Sequence, residues 1–246
     1  MKLLAFDTST DTMSIAVGQR THDSAPWQVW QHTSVGGAQA STTLIPAVLH
    51  LLKQADIRLA ELDSVCFGSG PGSFTGLRTA CSVAQGLAFG AGVPVLPVES
   101  LLAVAEEARF TSLKGVSSCL VAALLDARMD EMYTATYAFE GDQWTQVRGS
   151  MLCRPEAFDA PAHTVLAGNV FAVYGTRLPA VSAALPGIAS LPTAAAMLRL
   201  APQLLAAGKA VAPEHALPVY IRDKVAKTTA ERAAEKAALL PGLSSP

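Results

Sequence analysis

The densest set of residues able to do chemistry lies at residues 68–78, GSGPGSFTGLR, where four glycines and Pro71 surround Ser73 and lead to Arg78. Glycine lets another group come close to the main chain, and Ser73, placed to open a helix, would leave free N–H groups facing an anion such as phosphate. Gly70, Gly72 and Ser73 are therefore candidate anion contacts. Two phosphate fingerprints are excluded: no Gly-Lys-Ser/Thr follows, and the spacing does not fit GxGxxG. Turn chemistry alone leaves two readings level, an anion cradle or a tight turn that closes a strand against a helix.

Asp7 and Asp126 stand in similar settings, each ending an apolar run and opening a polar turn. Either carboxylate could cap its turn and strand end or meet a nucleotide-bound magnesium ion, and Ser9 is a further candidate nucleotide or anion contact. Ser73 falls one position too early for a G-x-S-x-G nucleophile elbow, and no histidine can be assigned as its base. The five histidines (His22, His32, His50, His163, His215) are scattered and form no HxxxH pair able to hold a metal on one helix face. The four cysteines (Cys66, Cys81, Cys119, Cys153) lie far apart with no CxxC, a pattern of buried free thiols. No catalytic or metal-ligating residue is predicted.

These groups need elements to position them. With 246 residues, 50% hydrophobic and 15% charged, the chain can build one large globular unit or two compact lobes around a substantial core. The longest apolar run, 120–125, is far too short to span a bilayer, and the start of the chain reaches Asp7 after only a few apolar residues. A cytoplasmic protein without a membrane segment is expected. A net charge of −2 and the absence of Lys/Arg runs give no footprint of a chain that grips nucleic acid by itself.

Residues 2–6 and 12–18 form apolar stretches around the polar turn 7–11, and 27–33 offers a third strand, an antiparallel meander. Leu44, Ile45, Val48, Leu51 and Leu52 recur at helical spacing behind the candidate N-caps Ser41, Thr42 and Thr43. A strand at 64–67 runs into the glycine-rich turn and a second helix over about 73–90; a strand at 94–98 follows, and Ser100 can cap a third helix through 109. Gly76, Ala80, Ala84 and Ala88 make a stripe of small side chains on the second helix, able to pack on its own sheet or on a helix of another chain. The pattern then restarts with an apolar run at 119–125, a polar turn through 131, and strands at 132–139 and 144–149. Residues 155–158 read as a short helix, 163–167 as a strand, and 193–207 as a helix that Pro202 kinks or splits. The expected organisation is an N-terminal α/β lobe (1–110), a C-terminal α/β lobe (111–222), and a partly disordered tail (223–246) that begins as a frayed helix.

Four segments, LLAFDTSTDTMSIAV, GSGPGSFTGLR, LLDARMDEMYTATY and PVYIRD, resemble TsaB proteins in kind and order, spanning residues 3–223 with gaps. The resemblance implies a duplicated actin/Hsp70-like (ribonuclease H-like) α/β fold and a non-catalytic dimerization subunit. Such a subunit would pair with a TsaD-like catalytic subunit and, with a TsaE-like ATPase, support threonylcarbamoyl transfer to the adenosine beside the tRNA anticodon. Alone it would form a homodimer and bind no cofactor, with ATP and a metal ion entering through the partner subunits and tRNA met through the complex. In that family the first two helices form the pairing surface. Here that would place Leu44, Ile45, Val48, Leu51 and Leu52 of the first helix at the interface, with Gly76, Leu77, Ala80, Val83, Ala84 and Leu87 of the second. The chain departs from the family pattern at Ala40-Ser41-Thr42, where TsaB proteins often carry His-Ser-Glu.

Actin-like ATPases use two phosphate loops that begin with Asp and contain Gly. Here Asp7 is followed by Thr8-Ser9-Thr10 and Asp126 by Ala127-Arg128-Met129-Asp130, so the carboxylates are kept and the cradle is altered. The alternative function is an independent nucleotide-hydrolysing or peptidase enzyme of the same superfamily, using Asp7, Ser73 and Asp126.

Overall fold

The structure, a computed structural model, describes residues 1–22 and 25–222. The tail expected at 223–246 lies outside the described residues.

The first lobe opens with the meander β1 (Lys2–Asp7), β2 (Thr12–Gln19) and β3 (Gln28–Val35). Helix α1 (Ala40–Gln54) leads to β4 (Ser64–Gly70), which lies parallel to β1; α2 (Phe74–Ala91) then leads to β5 (Val95–Glu99), parallel to β4. The sheet order is β3-β2-β1-β4-β5. After α3 (Ser100–Ser112) the same path is drawn again by β6 (Ser118–Arg128), β7 (Glu131–Glu140), β8 (Gln143–Cys153), β9 (Thr164–Gly168) and β10 (Gly187–Ala189). The second sheet has the order β10-β9-β6-β7-β8, which is the first sheet's order with five added to each strand number and read from the other edge. The duplicated two-lobed α/β architecture of the actin/Hsp70 type is thus present strand for strand.

The repeats differ in what fills the crossovers. Residues 36–63 supply α1 between β3 and β4, whereas 154–163 leave room for only a single 3-10 turn, Pro155–Ala157, between β8 and β9. The counterpart of α2 is reduced to two single-turn helices, α4 (Phe171–Tyr174) and α5 (Ala180–Ala183).

The two sheets stack with helices between them. Leu4 and Phe6 of β1 point into a cluster with Leu44, Val48, Ala80 and Ala84 of α1 and α2, while Leu3 and Ala5 point to the opposite face. There α3 and α6 (Ala194–Ala206) form the middle layer. They exchange sheets: α6 packs on β1 and β2 of the first lobe, and α3 packs on β6 and β7 of the second. Neither lobe's core is therefore built from its own stretch of chain alone. At the centre Glu106 of α3 is buried, accepting from Arg109 Nε (2.8 Å), Arg199 Nε (2.7 Å) and the indole Nε1 of Trp144 (3.0 Å).

Two local expectations need correction. Helix α1 begins at Ala40, so Ser41, Thr42 and Thr43 lie inside its first turn, and the Thr42 and Thr43 hydroxyls donate back to Gln39 O at 2.9 Å instead of capping N–H groups. Of the kink or split expected at Pro202, the split does not occur: α6 runs unbroken from its cap at Thr193. The missing N–H falls in the last turns, where Leu198, Leu200 and Ala201 are buried against the first sheet and hold the helix across the gap.

Candidate functional site

The carboxyl ends of β1, β4, β6 and β9 meet at the cleft between the lobes, which encloses a cavity of about 330 Å³. Its walls come from the β1–β2 turn (Ser9, Asp11), the turn after β4 (Gly72, Ser73), the β6–β7 turn (Asp126, Arg128), and a later segment that includes Tyr220 and Arg222.

Asp7 is fully buried behind this cavity and does not line it. Its Oδ1 accepts from Ser9 N (2.7 Å) and Ser9 Oγ (2.6 Å), and its Oδ2 accepts from Ser100 Oγ (2.8 Å). Burial pushes its pKa above the ordinary carboxylate value, outweighing the lowering by those three bonds. Gly68 is required beside it, because a Cβ there would overlap Asp7 Oδ2. So enclosed, the carboxylate pins the end of β1 to the start of α3.

The glycine-rich turn is filled by the chain itself. A Cβ at Gly72 would stand 2.6 Å from Ser9 O, and one at Gly76 would overlap Thr8 O. The turn and the β1–β2 turn are further joined by Ser73 N donating to Ser9 O at 2.7 Å and Thr8 Oγ1 donating to Gly76 O at 2.7 Å. The Ser73 hydroxyl accepts from Gly76 N at 3.5 Å, capping α2, and no histidine lines the cavity among the described residues. Gly70 has φ +119°, and a Cβ there would lie 2.6 Å from Val219 O. The close approach that glycine permits is thus taken by Thr8, Ser9 and Val219.

Asp126 does line the cavity. Its Oδ1 accepts from Arg128 N (2.8 Å) and from the Tyr174 hydroxyl (2.9 Å). Asp126 and Asp7 therefore both close an Asx turn onto the residue two places on, but they occupy different settings, one at the cavity wall and one behind it. The Arg128 guanidinium spans the cleft, with Nη1 at 3.3 Å from Asp126 Oδ2 and Nη2 donating to Asp11 of the opposite lobe. Arg128, Met129 and Asp130 follow one another in the left-handed region, with φ of 60°, 55° and 61°. Non-glycine residues rarely do this unless surrounding contacts hold them there. Those contacts are Arg222 on Arg128 O (3.3 Å) and Arg177 on Asp130 Oδ1 (2.5 Å).

Of the candidate nucleotide or anion contacts, Ser9, Gly72, Ser73 and Asp126 line this cavity, whereas Asp7 and Gly70 do not. Sequence reasoning missed Asp11, Arg128, Tyr220 and Arg222, all of which stand within the segments that carry the family resemblance. Among the described residues no three His, Cys, Asp or Glu side chains converge as a metal site would require, and no helix is long and apolar enough to cross a membrane.

On the first two helices the expected surface divides. Leu44, Val48, Leu51 and Leu52 of α1, and Gly76, Leu77, Ala80 and Ala84 of α2, are buried within this chain; the small-residue stripe faces its own sheet. Ile45, Val83 and Leu87 keep accessible surface; Leu49, one turn from Ile45, is exposed, and Phe89 is 79% accessible on another side of α2.

Comparison with known proteins matches residues 31–230 to the family of TsaD, tRNA N6-adenosine threonylcarbamoyltransferase. The chain is 32% identical to the tRNA threonylcarbamoyladenosine biosynthesis protein TsaB of Escherichia coli K12 over 233 residues, covering 92% of this chain and 96% of that protein. Among solved structures, YeaZ from Pseudomonas aeruginosa superimposes with a TM-score of 0.77 at 35% identity, covering 89% of this chain and 99% of the other. A second Pseudomonas aeruginosa structure, described as an uncharacterized protein with similarity to the peptidase YeaZ, gives 0.78 at 35% identity, with 90% and 99% covered.

Proposed function

Because this chain belongs to the TsaB family of tRNA threonylcarbamoyladenosine biosynthesis proteins, we propose that it is the family's non-catalytic scaffold. It pairs with a TsaD-like catalytic subunit and, with a TsaE-like ATPase, supports threonylcarbamoyl transfer to the adenosine beside the anticodon. The observation that carries this reading is the state of the cleft, where Asp7, Ser73 and Asp126 are each engaged by the chain itself. Asp7 is enclosed by Ser9 and Ser100, Ser73 caps α2, and Arg128 lies across Asp11 and Asp126. Among the described residues Ser73 has no histidine beside it to act as base and Asp7 is closed off from the cavity, so two of the three groups the rival enzyme would use lack what turnover needs.

The outer faces of α1 and α2 supply the docking surface in this reading. Ile45, Leu49, Val83 and Leu87 place apolar area there, and their neighbours on the inner face are committed to the core. The family match to the catalytic subunit's own domain supports pairing between two chains of like fold. ATP and the metal ion belong to the partner subunits.

The test is reconstitution. The purified chain alone is expected to release no phosphate from ATP and to cleave no peptide, and to raise tRNA modification when added to the TsaD-like and TsaE-like subunits. ATP or peptide turnover by the chain alone, abolished by Asp7→Ala or Ser73→Ala, would overturn the scaffold reading in favour of the independent enzyme.

A further inference from the structure

Residues 216–222 have no part in the proposal above, yet they bond to both lobes. We propose that residues 216–222 are an interlobe clasp, in which Arg222 is the positioning residue that sets the β6–β7 turn and so places Arg128 across the cleft onto Asp11.

The clasp begins on the first lobe. Ala216 O accepts from Gln85 Nε2 at 3.0 Å on α2, and Val219 N donates to Ser69 O at 2.7 Å at the end of β4. Gly70 leaves the space that Val219 O occupies. The Tyr220 ring packs on Phe74 with centroids 5.3 Å apart, and its hydroxyl accepts from Arg78 Nε at 3.1 Å. Two residues later the segment is on the second lobe: Arg222 Nη2 donates to Glu131 Oε2 at 2.6 Å and to Arg128 O at 3.3 Å, and Nη1 reaches Met129 Sδ at 3.3 Å. One short stretch of chain therefore holds both walls of the cavity.

The need for such a device follows from the exposure of the ion pair it serves. The Arg128 and Asp11 side chains are 67% and 80% accessible, and an exposed pair of long side chains contributes little by itself. What makes the pair persistent is that its arginine is delivered by a backbone turn held in an unfavourable left-handed run. Arg222, only 14% accessible, is the group bonded to that turn's carbonyl and to the glutamate that follows it. The cationic head of Arg128 then rests between two carboxylates of opposite lobes, and the cleft is held at one width.

Hydrogen–deuterium exchange on the full-length chain reads this directly. Arg222→Ala is expected to raise exchange by about tenfold or more at residues 128–131 and also at residues 9–12 on the other lobe, with the amides of α1 unchanged. In an Arg128→Ala background the same change at Arg222 should add nothing further at residues 9–12, because both variants break one chain of contacts. Faster exchange confined to residues 216–222, or effects of the two variants that add at residues 9–12, would overturn the clasp. If Arg222→Ala unfolds the chain, Tyr220→Phe, which removes only the bond from Arg78, decides the question. It must raise exchange in both turns to support the clasp, and an effect in neither refutes it. None of these readouts involves a partner subunit, so the clasp can fail while the scaffold reading stands.

Discussion

The same substitution at two glycines of α2 should have opposite signs. In a helix interior, Gly→Ala gains about 1 kcal/mol of intrinsic preference. At Gly86 a new Cβ meets nothing within 4 Å, so Gly86→Ala should keep that gain. At Gly76 the Cβ overlaps the main-chain oxygen of Thr8, which sits in a buried turn and cannot rotate away. Forcing such a contact costs about 1–3 kcal/mol. Moving α2 outward to relieve it lengthens the buried Thr8 Oγ1 bond to Gly76 O, now 2.7 Å, which loses about 1 kcal/mol more. Net of the helix gain, Gly76→Ala should destabilise by about 1–3 kcal/mol. For a chain of this length a kcal/mol moves Tm by about 2–4 °C, so the two variants should straddle the parent, Gly86→Ala higher by about 3 °C and Gly76→Ala lower by about 6 °C. Thermal unfolding followed by circular dichroism measures both. Should Gly76→Ala match Gly86→Ala in raising Tm, the close approach of the β1–β2 turn to α2 would be wrong, and with it the account of what the glycines of the motif accommodate.

Ile45→Arg or Leu49→Arg should weaken pairing with a TsaD-like subunit in sedimentation while shifting stability by no more than about 0.5 kcal/mol; Ala80→Arg, which buries a charge in the core, should instead abolish folding. A folded Ala80→Arg chain that merely fails to pair would reverse that assignment. Because burial raises the Asp7 pKa, the folded state binds its proton more tightly than the unfolded chain, so this group's contribution to stability falls as pH rises from about 3.8 through the raised folded value. Asp7→Asn should flatten the Tm profile in that window, and a parent profile made steeper by the substitution would contradict the burial argument. Glu106→Ala leaves Arg109 and Arg199 without their shared partner at the junction of α3 and α6 and should cost about 3 kcal/mol in urea unfolding; a cost below about 1 kcal/mol would show that the network adds little to holding the lobes together.

Much of the architecture was legible because it rests on short-range pattern. Apolar runs ending in Asp7 and Asp126, each followed by a polar turn and another strand, mark the two meanders, and the duplicated sheet order follows from them. Caps and interfaces were less legible for physical reasons. The hydroxyls of Ser41, Thr42 and Thr43 suit a cap, but where the helix begins is decided by Ala40, which is buried under the first sheet. Helical spacing shows that one face of α2 is made of small residues; it carries no information on whether the chain's own strands or a second chain covers that face. The exposed side chains of Leu49 and Phe89 emerge only once the inner face is known to be occupied.

The glycine-rich turn shows the limit most sharply. Its residue types report that something must approach the main chain closely, and that is the same requirement whether the visitor is a phosphate or a peptide carbonyl. Here the visitors are Thr8 and Ser9 from the neighbouring turn and Val219 from the far end of the chain, separated from the motif by long stretches of sequence. A local motif cannot name a non-local partner. The missing lysine and the unsuitable glycine spacing removed the usual nucleotide fingerprints, but only the positions of Thr8, Ser9 and Val219 turn that absence into an account of what the glycines do: they let two turns and the clasp close on one another.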